Sequence, residues 1–437
     1  MARQSVRGSS LRSTVLAGLL AAAFGAFMGG CAAPGAPIQG AARAGWQGAP
    51  HWVASWGTAQ MEPGAEHVLA AEAWRDATLR QVVRVSLGGE LLRVRFSNAF
   101  GTTPLLIEGA AVALSSGAGG AIDPASSRPL RFNGAAAVTI PAGAEYLSDP
   151  VALPHAAGAD LAVSTHFAAA PDRQTGHPGA RATSFIARGQ HLGQATLTGA
   201  TTFTRWYQLA GIEVEAAPGV RSVVAIGDSI TDGYGVAADS NQRWTDGLAL
   251  RLRQAGIHGV GVVNAGIGGG RLLRDGLGPN LVARFERDVL ARPGVSHAIV
   301  LIGVNDFGGH HRNTEDGPAA RARLLADMQE ALRQTVARAH AQGVCVVGAT
   351  ITPYGGSEYY HPKPPNEADR QAYNNWIRNS GEFDGVIDFD AALRDPARPD
   401  HLRKEVDNDG LHPNMAGYQA MADAVPLQVL GECARRR

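Results

Sequence analysis

Cysteine is scarce in this chain: 437 residues hold three, Cys31, Cys345 and Cys433. So few thiols cannot build a disulfide scaffold, and their spacing is not that of a zinc site. Cys345 lies in the apolar run Val344-Cys345-Val346-Val347 and is expected to be an inert buried thiol, with the fold resting on core burial. Excess charge is missing as well. Lys plus Arg equals Asp plus Glu at 39 each, which removes the clustered positive charge that nucleic-acid binding needs. A phosphate-loop lysine after a glycine-rich turn is absent, which argues against a flavodoxin-like nucleotide binder. What remains is a globular balance, 45% apolar and 18% charged, with enough length for two domains. The 55 glycines imply many turns between short elements.

The first residues read as a targeting segment, residues 1–31. Arg3, Arg7 and Arg12 make a positive start, and Val15 to Met28 is an uncharged run too short to span a bilayer comfortably. Small residues Gly29, Gly30, Cys31, Ala32 and Ala33 follow. Cys31 resembles the lipid-modified cysteine of bacterial lipoproteins, although Met28 stands where Leu is usual; ordinary cleavage nearby is the alternative. Either outcome makes the protein exported: periplasmic, extracellular or lipid-anchored to the cell envelope. Residues 32–48, rich in Ala, Gly and Pro, read as a flexible tether, and Arg435-Arg436-Arg437 as a solvated end.

Two patterns divide the rest. From 49 to 217 apolar and polar residues alternate. Val83, Val85 and Leu87 precede Gly88-Gly89, and Leu92, Val94 and Phe96 follow, which predicts a β-hairpin. Leu161, Val163, Thr165 and Phe167 repeat the pattern, as does the segment from Ala137 to Ile140. This half is expected to be an antiparallel β-sandwich domain. Ala216-Ala217-Pro218-Gly219 marks a boundary. From 218 to 437 short apolar runs alternate with helical patterns. The expected strands are Val223 to Ile226, Gly261 to Asn264, Ala298 to Gly303, Val344 to Thr350 and Val386 to Phe389. Trp244, Leu248 and Leu252 recur four apart, as do Leu324, Met328, Leu332 and Val336. Apolar strands with helical crossovers imply an α/β domain with a buried parallel sheet, whose reactive groups belong at the carboxyl ends of the strands.

Three of those ends are chemically unusual. Gly227-Asp228-Ser229 leaves the first strand, Asn264-Ala265-Gly266-Ile267-Gly268-Gly269 the second, and Gly303-Val304-Asn305-Asp306 the third. Asp409-Gly410-Leu411-His412 lies near the C-terminus. A serine hydroxyl needs an adjacent base, and a histidine base needs a carboxylate to hold its tautomer. Asp409 and His412 are three apart and share one loop. Glycine N–H groups and the Asn305 amide can serve an oxyanion.

These four blocks, in this order, resemble those of the SGNH (GDSL-type) hydrolases over Val223 to about Val425. Ile230 replaces the usual Leu after the serine. The resemblance implies a three-layer α/β/α, flavodoxin-like fold and a metal-independent serine esterase that works without a cofactor through an acyl-enzyme. It implies Ser229 as nucleophile, His412 as base and then acid, and Asp409 as its orienter. The oxyanion hole would comprise the Ser229 N–H, the Gly269 N–H and the Asn305 amide; the run of glycines leaves Gly268 open as the donor instead. No glycine lies two residues beyond Ser229, unlike the α/β-hydrolase elbow. Trp52-Val53-Ala54-Ser55-Trp56-Gly57 ahead of such a domain resembles two-domain bacterial esterases grouped with xylan-associated acylhydrolases. That implies short acyl esters, acetyl above all, of a small molecule or polysaccharide.

Other features are read as ordinary. Asp228 is expected to make structural hydrogen bonds. His310-His311 cannot share one helical face, and Asp407-Asn408-Asp409-Gly410 lacks the spacing of a calcium loop. Trp52, Trp56 and Trp206 are expected in a core or interface. Tyr354, Tyr359 and Tyr360 follow the fourth strand and are candidates for the site's rim, whereas Asn374, Trp376 and Arg378 belong to a packed helix. The rival functions are a lipase, thioesterase or aryl esterase of longer acyl preference, and an exported carbohydrate-binding protein with an idle site.

Overall fold

The structure is a computed structural model that describes residues 51–313, 317–431 and 433. The targeting segment, the tether, Cys31 and the arginine tail therefore lie outside the described residues. The described residues fall within one compact unit. No helix among the described residues is long and apolar enough to cross a membrane.

The first half holds two large antiparallel sheets and two two-stranded ribbons. In one, His51–Gly57 pairs with Leu209–Ala216, which pairs with Gly89–Ser97, and that strand pairs onward with Glu145–Leu147 and Val151–His155. In the other, Ala77–Arg84 lies between Ser184–Arg188 and Asp160–Phe167, and Asp160–Phe167 pairs onward with Gly109–Leu114. Val83 from one sheet and Leu92, Val94 and Phe96 from the other share one apolar cluster.

The expected hairpin about Gly88-Gly89 does not form. Its two arms lie in different sheets, and the residues between them carry the chain from one sheet to the other. Ser55 holds that crossover: its carbonyl accepts the Ser86 N–H at 2.9 Å, and its hydroxyl oxygen accepts the Leu87 N–H at 2.9 Å. Alternation records which side of a strand is buried. It does not record the partner, and two strands facing one core from opposite sheets alternate just as a hairpin does.

The second half is an α/β domain around a five-stranded parallel sheet. In chain order its strands are Arg221–Gly227, Val260–Gly266, Val295–Leu301, Cys345–Ala349 and Gly385–Ile387. Across the sheet the order is second, first, third, fourth, fifth. Val223 to Ile226 are wholly buried, as a parallel strand covered on both faces must be. Helices α1 (Ser229–Asp232), α2 (Trp244–Gln254), α3 (Leu281–Phe285), α4 (Val304–Asn313), α5 (Pro318–Ala341), α6 (Pro364–Asn379), α7 (Phe389–Leu393) and α8 (Met415–Ala424) connect and cover the strands. Helix α5 starts with Pro318 in its first turn and buries Leu324, Met328, Leu332 and Val336, the row that its spacing predicts. Helices α2, α7 and α8 pack together, and α4, α5 and α6 form a second group.

The chain runs from the first strand to one neighbour and returns to the other. Such a reversal opens a crevice beyond the carboxyl end of the first strand. Gly227 lies level with Gly266 on one side and Leu301 on the other, so the three chemically unusual segments emerge side by side.

Cys345 is not a free thiol. It forms a disulfide with Cys433, with Cα atoms 5.8 Å apart across a sequence separation of 88 residues. The expectation of an inert thiol considered only the apolar run around Cys345; the C-terminal segment folds back to the start of that strand. Closing so long a loop restricts the unfolded chain. Cys433→Ser is therefore expected to lower stability by about 2–4 kcal/mol in non-reducing urea denaturation. Reduced wild-type protein should lose a similar amount; equal midpoints in all three samples would remove the bridge's role.

Candidate active site

Gly227 ends the first strand where only glycine fits: a Cβ there would stand 2.4 Å from the Leu301 carbonyl oxygen. Asp228 then caps α1, its carboxyl oxygen accepting the Ile230 N–H at 3.0 Å. Ser229 is thus the first residue of a helix, where N–H groups have no intrahelical acceptor. The Ser229 hydroxyl lies 2.8 Å from His412 Nε2. On the other side of that ring, His412 Nδ1 lies 2.8 Å from one Asp409 oxygen and 3.1 Å from the other. Asp409 also accepts the backbone N–H groups of Leu411 at 3.1 Å and His412 at 2.8 Å, so one carboxylate fixes both its loop and the ring. Burial pushes this carboxyl up, but the hydrogen bonds from His412 and Leu411 outweigh it and hold it below the ordinary range. An ionised Asp409 accepts the hydrogen bond from Nδ1–H, which leaves Nε2 as acceptor for the serine hydroxyl.

The glycine loop and the third strand end complete the crevice. Gly269 has φ of +66°, and the Gly270 N–H is committed to the Ile267 carbonyl at 2.9 Å. Asp306 pins the following turn by accepting the N–H groups of Leu272 at 2.8 Å and Leu273 at 3.1 Å. Asn305 opens α4 beside it; its Nδ2 donates to the Gly270 carbonyl at 2.8 Å, and its Oδ1 accepts the Tyr360 hydroxyl at 2.6 Å. The structure therefore brings Ser229, His412 and Asp409 into one hydrogen-bonded row, and ties Asn305 to the glycine loop.

Several residues that build the site carried no motif. Arg284, fully buried, donates to the carbonyls of Ala265 at 2.7 Å and Gly227 at 2.8 Å, the ends of two adjacent strands. Asp288 neutralises it at 3.0 Å. Asp232, at the end of α1, meets His177 of the antiparallel half at 2.8 Å. Tyr234 lies against the His412 ring with centroids 4.2 Å apart, and Arg181 stands 5.4 Å above Tyr234. The helical spacing from Leu281 and an Arg–Asp pair four apart were visible signals for Arg284. Nothing local signalled His177, and Tyr360 was signalled only by its place after the fourth strand. Of the three tyrosines expected at the rim, Tyr354 and Tyr360 are buried and Tyr359 is 61% exposed. Trp56 and Trp206 are buried in contact, 5.0 Å between rings. Asn374 lies on α6 and bonds both backbone groups of Ile351 at 2.8 Å. Among the described residues His297, Cys345 and Cys433 stand close enough to share an ion, but both sulfurs are in the disulfide.

A hydroxyl, an imidazole and a carboxylate in this row, at the crevice of a parallel sheet, are groups of the kind that carboxylic ester hydrolysis needs. Residues 225–420 match the model of the GDSL-like lipase/acylhydrolase family. A search of curated proteins returns no match. Among solved structures, the chain is similar to a GDSL-like lipase from Bacteroides thetaiotaomicron, with 16% identity over 49% of this chain and 90% of that one at a TM-score of 0.36. It is also similar to an acetyl xylan esterase variant from Geobacillus stearothermophilus, with 21% identity over 50% and 97% of the two chains at a TM-score of 0.35. A further acetyl xylan esterase matches with 21% identity over 46% and 96% at a TM-score of 0.35.

Two expected outcomes test the construction. Arg284→Met leaves Asp288 buried and short of a partner, and should cost about 3–5 kcal/mol in urea denaturation. Arg323→Met, which removes an exposed pair with Asp327, should cost below about 1 kcal/mol. Equal costs would deny the clamp. The second outcome concerns pH. Burial pushes the Asp228 carboxyl up to about 7 and that of Asp306 up to about 6. Between their unfolded values near 4 and these raised values, the folded protein holds more protons than the unfolded one, so stability falls as pH rises. Asp228→Asn keeps an oxygen to cap Ile230 and should flatten that fall. An unchanged slope in thermal melts from pH 4 to 7 would refute it.

Proposed function

We propose that Ser229 attacks the ester carbonyl while His412 takes its proton, and that an acyl-enzyme on Ser229 is then hydrolysed by water activated by the same ring. Asp409 orients His412 and balances its charge in each step. The tetrahedral oxyanion is received by the Ser229 N–H, the Asn305 amide and Gly269, whose neighbour Gly270 has its own N–H occupied. The observation that carries this reading is the 2.8 Å approach of the Ser229 hydroxyl to His412 Nε2, with Asp409 behind the ring.

We further propose short acyl groups, acetyl first, carried by a carbohydrate outside the cytoplasm. Leu277, 68% exposed, lies against Gly269 and leaves little length for an acyl chain passing on that side. Tyr234 and Tyr359, both exposed, offer flat faces suited to a sugar ring. The Trp52 to Gly57 segment, the basic and apolar N-terminal residues and the alternating half support an exported two-domain esterase, with residues 49–217 as a β-sandwich domain and Cys31 open to lipid attachment.

Acetate release from acetylated xylan and other acetylated polysaccharides, beside a p-nitrophenyl ester series, tests both levels. Ser229→Ala should lose fluorophosphonate labelling and at least ~10⁴-fold in kcat. An active Ser229→Ala protein would end the esterase reading. A series peaking at octanoate would end the acetyl reading alone.

A further inference from the structure

Tyr360 reaches the site from a loop 55 residues beyond the amide it touches. Its ring is buried among Tyr354, Tyr359 and the backbone of α4, where Gly308 leaves it room: a Cβ at Gly308 would stand 2.5 Å from the ring. Its own N–H donates to the Ser357 hydroxyl oxygen at 3.2 Å, which anchors the loop. Burial pushes the Tyr360 phenol well above its ordinary range, so its hydroxyl keeps its proton and acts as a donor.

The direction of the Asn305 amide follows from its two neighbours. The Gly270 carbonyl can only accept, so the group facing it at 2.8 Å is the NH₂. The group facing Tyr360 at 2.6 Å is then the oxygen, which accepts the phenol's hydrogen bond. An NH₂ has two hydrogens; Gly270 engages one and the other remains for the crevice. An amide held only by Gly270 can swing about its last torsion, and its buried oxygen would lack a donor. Held at both ends, it has one orientation before substrate arrives.

We propose that Tyr360 is a positioning residue for ester hydrolysis, holding the Asn305 amide so that its free N–H meets the developing oxyanion. This rests on the reading of Asn305 as an oxyanion donor. Such a role acts when charge develops on the carbonyl oxygen, so it belongs in kcat rather than in ground-state binding.

The test is a double-mutant cycle on p-nitrophenyl acetate hydrolysis by the full chain. Tyr360→Phe removes only the hydroxyl. It should lower kcat about tenfold while KM stays within about twofold, with an unfolding temperature within a few degrees of wild type. Asn305→Ala should lower kcat by about 10²–10³. Adding Tyr360→Phe to Asn305→Ala should change kcat by less than about twofold, because the amide it positions is gone. Tyr354→Phe removes a neighbouring buried hydroxyl that has no hydrogen-bond partner among the described residues, and should leave kcat unchanged. If Asn305→Ala loses activity but Tyr360→Phe does not, or if the two losses multiply, the positioning role is wrong and the donor role of Asn305 survives. If Asn305→Ala keeps wild-type kcat, the donor role falls, and the role of Tyr360 falls with it.

Discussion

One buried guanidinium fixes where the chemistry can stand. Arg284 bonds carbonyls at the ends of two neighbouring parallel strands, Gly227 and Ala265, beside the points where the serine turn and the glycine loop depart. Its charge is balanced within the core by Asp288, which also takes Arg287 at 2.8 Å. The network does not stop there. Arg287 reaches the Gln60 carbonyl at 2.9 Å, and Arg292 reaches those of Thr58 and Ala210 at 3.0 Å, all in the antiparallel half. Charges this deeply buried add little net stability, because desolvation offsets their attraction. Their effect is positional: any rearrangement of the strand ends would strand a charge in a dry interior.

From that fixed base the site is assembled by short polar contacts, each with both ends satisfied. Asp306 holds the turn after the glycine loop, and Asp409 holds both its loop and the imidazole. Donors aimed in advance at a developing charge need no reorganisation when it forms, and this is the main source of rate in acyl transfer. The raised carboxyls of Asp228 and Asp306 belong to the same logic. They are buried close to the nucleophile turn at a cost to stability, and the cost is borne where the backbone must be held.

The sequence made the parallel sheet legible because apolar runs in its strands, such as Val223 to Ile226 and Val346-Val347, lie between helical rows such as Leu324, Met328, Leu332 and Val336. The Ser229, Asp409 and His412 row was legible because residue types with matching chemistry stand at strand ends and in one loop. Pairings between distant segments were not. Val83 and Phe96 advertise burial equally well in one sheet or in two, so the hairpin expectation failed while the burial expectation held. Cys433 carries no local sign that it meets Cys345. Tyr360 shows only that an aromatic residue follows a strand, whereas its use depends on the 2.6 Å contact with Asn305.

The antiparallel half is built into the hydrolase half rather than laid beside it. Ala54, Ala59 and Met61 belong to the apolar cluster of the parallel sheet, and a Cβ at Gly261 would stand 2.7 Å from the Ala54 carbonyl. Residues 176–183 then run beside the short helix that begins at Ser229. His177 holds Asp232 at 2.8 Å, Gly179 leaves room for that carboxylate, and the Ala180 carbonyl accepts from Arg243. The same segment carries Arg181 to the exposed Tyr234 ring, whose other neighbour is His412. A tethered binding module would need none of these contacts, since a flexible linker suffices to raise local substrate concentration. Contacts that end on the helix bearing Ser229 and on the ring covering His412 serve a different need, which is to keep Ser229 and His412 in register.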